Sequence, residues 1–517
     1  MNGELRAGAL SAMLVGSDLA DIRWGSLHVA RCIQVTVRDP SWGTVAPVVR
    51  SSTVEHTAEG FRVELDAIHD DGAVAFGWHG SIRGRADGSL VFAIEGVAER
   101  DFVYRRIGIC VLHPWRTYVG AAFRASDGST SAEGTFPLAI VPQLLRDGRY
   151  HAMVDAFTSL DVRFPDGVGA RFAFEGERFE LEDHRNWTDA SFKTYPTPLA
   201  LSEPRPIRAG ERISQHLVVR VEGRATAVID EDDVVAVRVG EPTDRRMPPI
   251  GLVAPGDPSL RPAHLRVDVN AAACDGVGLA ASASAGIPLE VALLVDEVAT
   301  GIETIVPLLE DLPLARFLVH LESGATIPGS LVNYVRSRLG AVAERVPIVG
   351  GTWSHFSELN RLPPDEVGVD AIGFGVSPTV HTTDERSMME TLEIQREVAL
   401  RASVLANDLP IIVSSVSLDP IADAAFADAW TVGSVSNLAT AGVSSITYER
   451  STPALAEAIA LAGSELRAAT VSRPDVVAAL AAGDVLLVAN LTPITQQLQV
   501  DGRDRPSLSP YEVRAVD

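Results

Sequence analysis

The feature that most constrains this chain is a change of hydrophobic period at Pro248-Pro249. Before it, apolar residues alternate over short runs broken by Gly, Asp and Pro, as in Phe61-Arg-Val-Glu-Leu65, Leu90-Val-Phe-Ala-Ile94 and Gln215-His-Leu-Val-Val-Arg-Val221. A period of two puts successive side chains on opposite faces, so each run is a half-buried strand and the series predicts a β-sandwich. After it, short β-branched runs alternate with Ala/Leu/Glu/Arg-rich stretches of helical length. Strands that are apolar throughout and separated by helices belong to a parallel sheet covered on both faces.

Eight such strands can be placed: Ile250–Val253, His264–Val269, Leu289–Val295, Arg316–Leu321, Val346–Gly350, Ala371–Val376, Ile411–Val416 and Ser444–Tyr448. The clearest helices lie at Ser330–Glu344, Glu385–Ala406 and Ala422–Ala441. Eight βα-like units predict a TIM barrel, with a doubly wound open sheet as the alternative. Only a short loop separates the first two strands, so one outer helix should be missing and the early helices reduced. Beyond residue 463 the pattern returns to β, in Asp484–Asn490, Gln496–Val500 and Tyr511–Val516. A chain of 517 residues exceeds one hydrophobic core. The expected fold is therefore multidomain β plus α/β: a sandwich over 1–245, a TIM-like (β/α)8 barrel over 246–463 and a small β domain over 464–517.

Composition removes several classes of function. The formal net charge of -24 repels phosphate backbones, so no nucleic-acid partner is expected. Cys32, Cys110 and Cys274 lie far apart and form no CxxC pair, which argues against a disulfide framework and a cysteine metal site. No apolar run reaches bilayer length, and the stretch Ala7–Gly16 lacks the flanks of a signal peptide. A cytoplasmic protein without a membrane partner is the expectation. There is no GxSxG, HExxH or P-loop sequence. Gly276-Val-Gly-Leu-Ala-Ala281 is cut off from its strand by Asn270–Asp275, too far for a dinucleotide turn. No cofactor is expected, and the spacing of His320, His355 and His381 matches no metal-ligand pattern.

In a barrel the working residues sit at the C-terminal ends of the strands. Those ends carry Asp268 and Asn270, Asp296-Glu297, His320 and Glu322, then Glu358, Asn360 and Arg361, then His381, and finally Glu449. Carboxylates can activate water, while imidazole and guanidinium groups can polarise a carbonyl. Glu358, His381 and Glu449 are the candidate catalytic residues, and Asp268, Asn360 and Arg361 candidate substrate ligands. Asp384 reads as a helix cap, and Glu297 and Glu385 as solvated. A second polar constellation, Phe179–Tyr195, interleaves charges with aromatic residues inside the sandwich segment. Asp183, Arg185, Asn186, Trp187 and Asp189 there suggest a site wall or domain interface, expected to pack at the barrel mouth.

The stretch Glu182-Asp-His-Arg-Asn-Trp-Thr-Asp-Ala-Ser-Phe-Lys-Thr-Tyr195 resembles the hallmark of the D-apionate lactonase family, with His184 where Gln is usual. Ile22–Gly25, Val37–Thr44, Arg106–Pro114, His264–Asp268, Glu358–Arg361, Val380-His381 with Asp384, and Ser445–Glu449 are similar as well. The resemblance spans nearly the whole chain. It implies a sandwich, a TIM barrel and a small C-terminal β domain, and hydrolysis of D-apionolactone to the open acid in D-apiose catabolism. One departure concerns Ser414–Pro420, which has no arginine where the family usually carries one after the seventh strand. The leading expectation is a hydrolase that opens a sugar-acid lactone, with Glu358 or Glu449 as base and His381 and Arg361 as polarising donors. Its partner would be a small sugar lactone, and the sequence leaves the oligomeric state open. The alternatives are a glycoside hydrolase using paired barrel glutamates and a non-catalytic carbohydrate-binding relative.

Overall fold

Alternation builds two large sheets in the first part of the chain, as a computed structural model shows for residues 2–165, 167–225, 234–274, 276–283, 285–364, 367–381, 384–419 and 423–516. Contacts divide the chain into two units, Met1–Arg185 with Ala190–Asp230, and Asn186–Asp189 with Glu231–Asp517.

In the first unit an eight-stranded and a nine-stranded sheet share one core that includes Ile33, Val35, Ile109, Phe76, Phe92 and Phe172. The strand Arg212–Glu222 shows the rule: Leu217, Val219 and Val221 are buried while Arg220 and Glu222 are exposed. Packing is tight enough that a Cβ on Gly84 would lie 2.2 Å from the Phe61 ring, and one on Gly96 2.1 Å from the Phe76 ring.

In the second unit eight parallel strands close into a barrel: Ile250–Val253, Leu265–Asn270, Leu289–Val295, Leu314–Leu321, Ile348–His355, Ala371–Val376, Ile411–Val416 and Ser445–Tyr448. The open-sheet alternative is thereby set aside. Ala292, Leu318, Val349, Ala371 and Ile412 form an apolar layer within the barrel. As expected, the early helices are reduced. Only the short 3-10 turn Pro258–Leu260 follows the first strand, and Val277–Ala283 follows the second. The long helix expected after the sixth strand is split at Thr391 into Glu385–Glu390 and Leu392–Leu405. The helix before the last strand runs Ala424–Ala441 under an Asp423 cap, and its expected start at Ala422 lies outside the described residues. No helix among the described residues is long and apolar enough to cross a membrane.

The sandwich is expected over 1–245; within that range the strand Val234–Arg246 pairs with Glu465–Val471 and Gln496–Val500 in a seven-stranded sheet. Its Val235 and Val237 are buried with Val477, Val488 and Leu498. Alternation identifies a strand and its apolar face, but carries no information on which sheet receives it.

Candidate active site

The site rests on a charged layer inside the barrel. Glu290, on the third strand, is fully buried, and a bare carboxylate there would be untenable. It accepts hydrogen bonds from the hydroxyls of Ser414 (2.5 Å) and Thr447 (2.9 Å). Arg316 Nε lies 3.0 Å away and His264 Nε2 3.5 Å. Burial pushes the Glu290 carboxyl upward, but His264, Arg316, the Ser414 hydroxyl and Arg266 together bring it below the ordinary carboxylate value. Burial also drops His264 to about 4, so at neutral pH the compensating charge belongs to the arginines.

Arg266 connects this layer to the mouth. One of its nitrogens donates to Ser414 Oγ at 3.0 Å, and Nε donates to Asp268 Oδ1 at 2.9 Å, where the carboxylate is half exposed. On the eighth strand's end, exposed Glu449 accepts a 2.5 Å hydrogen bond from Ser415 Oγ on the seventh. Asp268, through Arg266, and Glu449, directly, are thus each tied to a serine of the seventh strand.

The fifth and sixth strands carry a further group. The helix Phe356–Arg361 starts directly after the fifth strand and places Glu358 in its first turn, where the helix dipole favours a negative charge. Arg361 pairs with Glu358 at 2.5 Å, and its guanidinium lies 5.6 Å from the Trp187 ring centre. Trp187 in turn meets His381 edge to face at 5.6 Å. Buried Asn360 donates to Asn186 Oδ1 at 2.8 Å. Six of the expected residues therefore form one connected group: Glu358, Asn360, Arg361, His381, Asn186 and Trp187. Asp189 is buried in the same unit.

Asp183 and Arg185 are placed differently. They are buried and joined to each other by two 2.8 Å hydrogen bonds. Arg185 also donates to the carbonyls of Pro137 and Leu138, and Asp183 accepts the Val141 N–H. These contacts secure the 137–141 loop of the first unit. Nearby, Arg106 bridges Glu180 (2.5 Å) and Glu182 (3.5 Å), and Lys193 Nζ lies 3.1 Å from both Glu182 and His184 Nε2. Burial raises the Glu180 carboxyl well above its usual value. Glu182 is buried too, but Lys193 and Arg106 hold it well below.

Sequence reasoning did not select Arg266, Ser414 or Ser415. Arg266 had a signal, since it stands two residues before Asp268 on the same strand face; the serines had none. His320, one layer beyond Leu318 toward the mouth, is fully buried, and neither ring nitrogen has a hydrogen-bond partner among the described residues. Burial, with a smaller push from Arg266, lowers its pKa to about 3, so it is a neutral imidazole. Among the described residues no group of three or more His, Cys, Asp and Glu side chains is arranged to hold a metal.

Two family models match the chain: the N-terminal domain of D-apionate lactonase over residues 2–224 and its TIM barrel domain over residues 258–421. The D-apionate lactonase of Brucella anthropi is 26% identical, over 99% of this chain and 96% of that one. Among solved structures, a putative aldose 1-epimerase from Escherichia coli K12 is 10% identical over 43% of this chain and 99% of that chain, with a TM-score of 0.29. A Paenibacillus polymyxa xyloglucanase of glycoside hydrolase family 44 is 8% identical over 55% of this chain and 97% of that chain, with a TM-score of 0.38. At such TM-scores neither structure bears on function here.

Proposed function

The chain belongs to the D-apionate lactonase family, and on that premise we propose that it hydrolyses the ring ester of a sugar-acid lactone of the D-apionolactone type to the free acid. The observation that carries this reading is the match with the Brucella anthropi D-apionate lactonase, which covers 99% of this chain and 96% of that one.

Lactone opening requires a base for water and donors for the oxyanion of the tetrahedral intermediate. Of the two candidate bases, Glu358 is already paired with a guanidinium, whereas exposed Glu449 meets only a hydroxyl in its described hydrogen bonds. We therefore assign Glu449 as the base. It takes a proton from water as the oxygen attacks the lactone carbonyl carbon, then returns it to the ring oxygen as the ester C–O bond breaks. Arg361 and His381 polarise the carbonyl, with Glu358 holding Arg361. Asp268, Asn360, Asn186 and Trp187 contact the sugar, with Asp189 in the same segment as Trp187. The reaction would be a step of carbohydrate catabolism in the cytoplasm, where free thiols such as Cys32, Cys110 and Cys274 persist.

The test is a panel of D-apionolactone, other aldonolactones and aryl glycosides, each with and without chelator, followed by acid or phenol release. The expected result is enzymatic opening of at least one lactone, unaffected by chelator, with the aryl glycosides left intact. Glycoside cleavage without lactone opening would overturn the reading in favour of a glycosidase.

A further inference from the structure

Trp353 stands near the end of the fifth barrel strand, Ile348–His355, and is 43% exposed. That leaves roughly 100 Å² of a large aromatic side chain in water. The ring is not loose. Its Nε1–H donates to the Leu321 carbonyl at 2.8 Å, and the neighbouring Thr352 hydroxyl donates to the Gly324 carbonyl at 2.6 Å. Gly324 has a φ of +79°, and a Cβ there would lie 3.4 Å from Cζ2 of the indole. The loop after the fourth strand thus backs the ring with main chain, in a conformation that favours glycine.

Polar groups stand at other strand ends. Glu322 follows the carbonyl that holds the indole, and exposed Asn270 donates to Glu322 Oε1 at 2.6 Å. A fixed aromatic surface at one strand end, with a hydrogen-bonded carboxylate and amide at the ends of the fourth and second, has the chemistry that recognises a carbohydrate. The C–H face of a sugar stacks on the negative face of the ring, and its hydroxyls exchange hydrogen bonds with the polar pair. We propose that Trp353, backed by Gly324, is the stacking wall of a sugar subsite at the ends of the fourth and fifth strands, with Asn270 and Glu322 meeting hydroxyl groups. This deepens the lactonase reading and rests on it for the identity of the ligand.

The experiment compares the full-length wild type with Trp353→Ala and Trp353→Phe. D-xylonolactone serves as the lactone probe, and its open acid, D-xylonate, as the unreactive one. Binding of D-xylonate is measured by calorimetry, and folding of each variant by circular dichroism and thermal melting. Trp353→Ala should weaken D-xylonate binding and raise KM about tenfold to a hundredfold, with kcat changed less than about threefold. Trp353→Phe should recover most of the affinity. Unchanged binding and KM in a folded Trp353→Ala variant would overturn the subsite, as would failure of the wild type to bind either probe. Binding that depends on Trp353 without any lactone opening would sustain the subsite and remove the lactonase reading instead.

Discussion

In the first unit Arg106 and Lys193 both hold Glu182 while Arg106 also bonds Glu180, whereas in the barrel Glu290 is held by arginines and by two hydroxyls. The first network is built on two cations, and the Tyr195 ring lies against both Arg106 (4.5 Å) and Lys193 (4.6 Å). The second solvates one anion with groups drawn from four strands. A buried carboxylate that loses its cation is stranded, while one that loses a single hydroxyl keeps other partners. The mouth differs from both, because Glu449 is exposed and Asp268 half exposed. Stability should therefore depend most on the first network, less on the second, and rate on the mouth.

The largest effect should fall on rate. Glu449→Gln should lower kcat on a sugar lactone about 10²–10⁴-fold and leave the unfolding free energy within about 0.5 kcal/mol of wild type. Glu358→Gln should lower kcat in the same direction by releasing Arg361. If both variants retain full lactonase activity, neither glutamate is the base.

Next comes the first network. Arg106→Met removes one of the two cations on buried Glu182 and the hydrogen-bond donor to Glu180, and should cost about 3–5 kcal/mol in urea unfolding. Ser414→Ala, which removes one of the two hydroxyls on Glu290 and leaves Thr447 and Arg316 in place, should cost less, about 1–3 kcal/mol. Equal losses would break the distinction between the two networks.

Acid should weaken both units. Burial depresses His69 and His264 to about 4, and His113 and His320 to about 3. In the unfolded chain each titrates near 6.5, at roughly its ordinary value. Between the two values only the unfolded state takes up the proton. The stability is thus fully present above about pH 6.5 and is lost as pH falls toward 3. A His320→Leu variant should show a shallower decline of the urea midpoint between pH 7 and 4, and an unchanged slope would remove His320 from the account. Smallest is the cap: Asp384 accepts the Ser387 N–H at 2.9 Å, and Asp384→Ala should cost about 1 kcal/mol, read by the same unfolding measurement.

What the sequence by itself determined is local. The change of period at Pro248-Pro249 gave sandwich strands on one side and barrel strands on the other, because alternation and helical spacing are properties of neighbouring residues. The Asp384 cap was legible for the same reason, and the Glu358–Arg361 pair is set by the three-residue spacing within one helical turn. Tertiary structure decided which groups meet. Val234–Arg246 reads as a strand in any sheet, and only pairing with Glu465–Val471 and Gln496–Val500 assigns it. Asp183 and Arg185 look like ligand residues until the 137–141 backbone claims them. Ser414 lies 124 residues from Glu290 and Thr447 157 residues away, and closure of the barrel brings both hydroxyls to one carboxylate. No short window of sequence records that meeting, because the energy that selects it comes from a buried charge that exists only once the strands have closed around it.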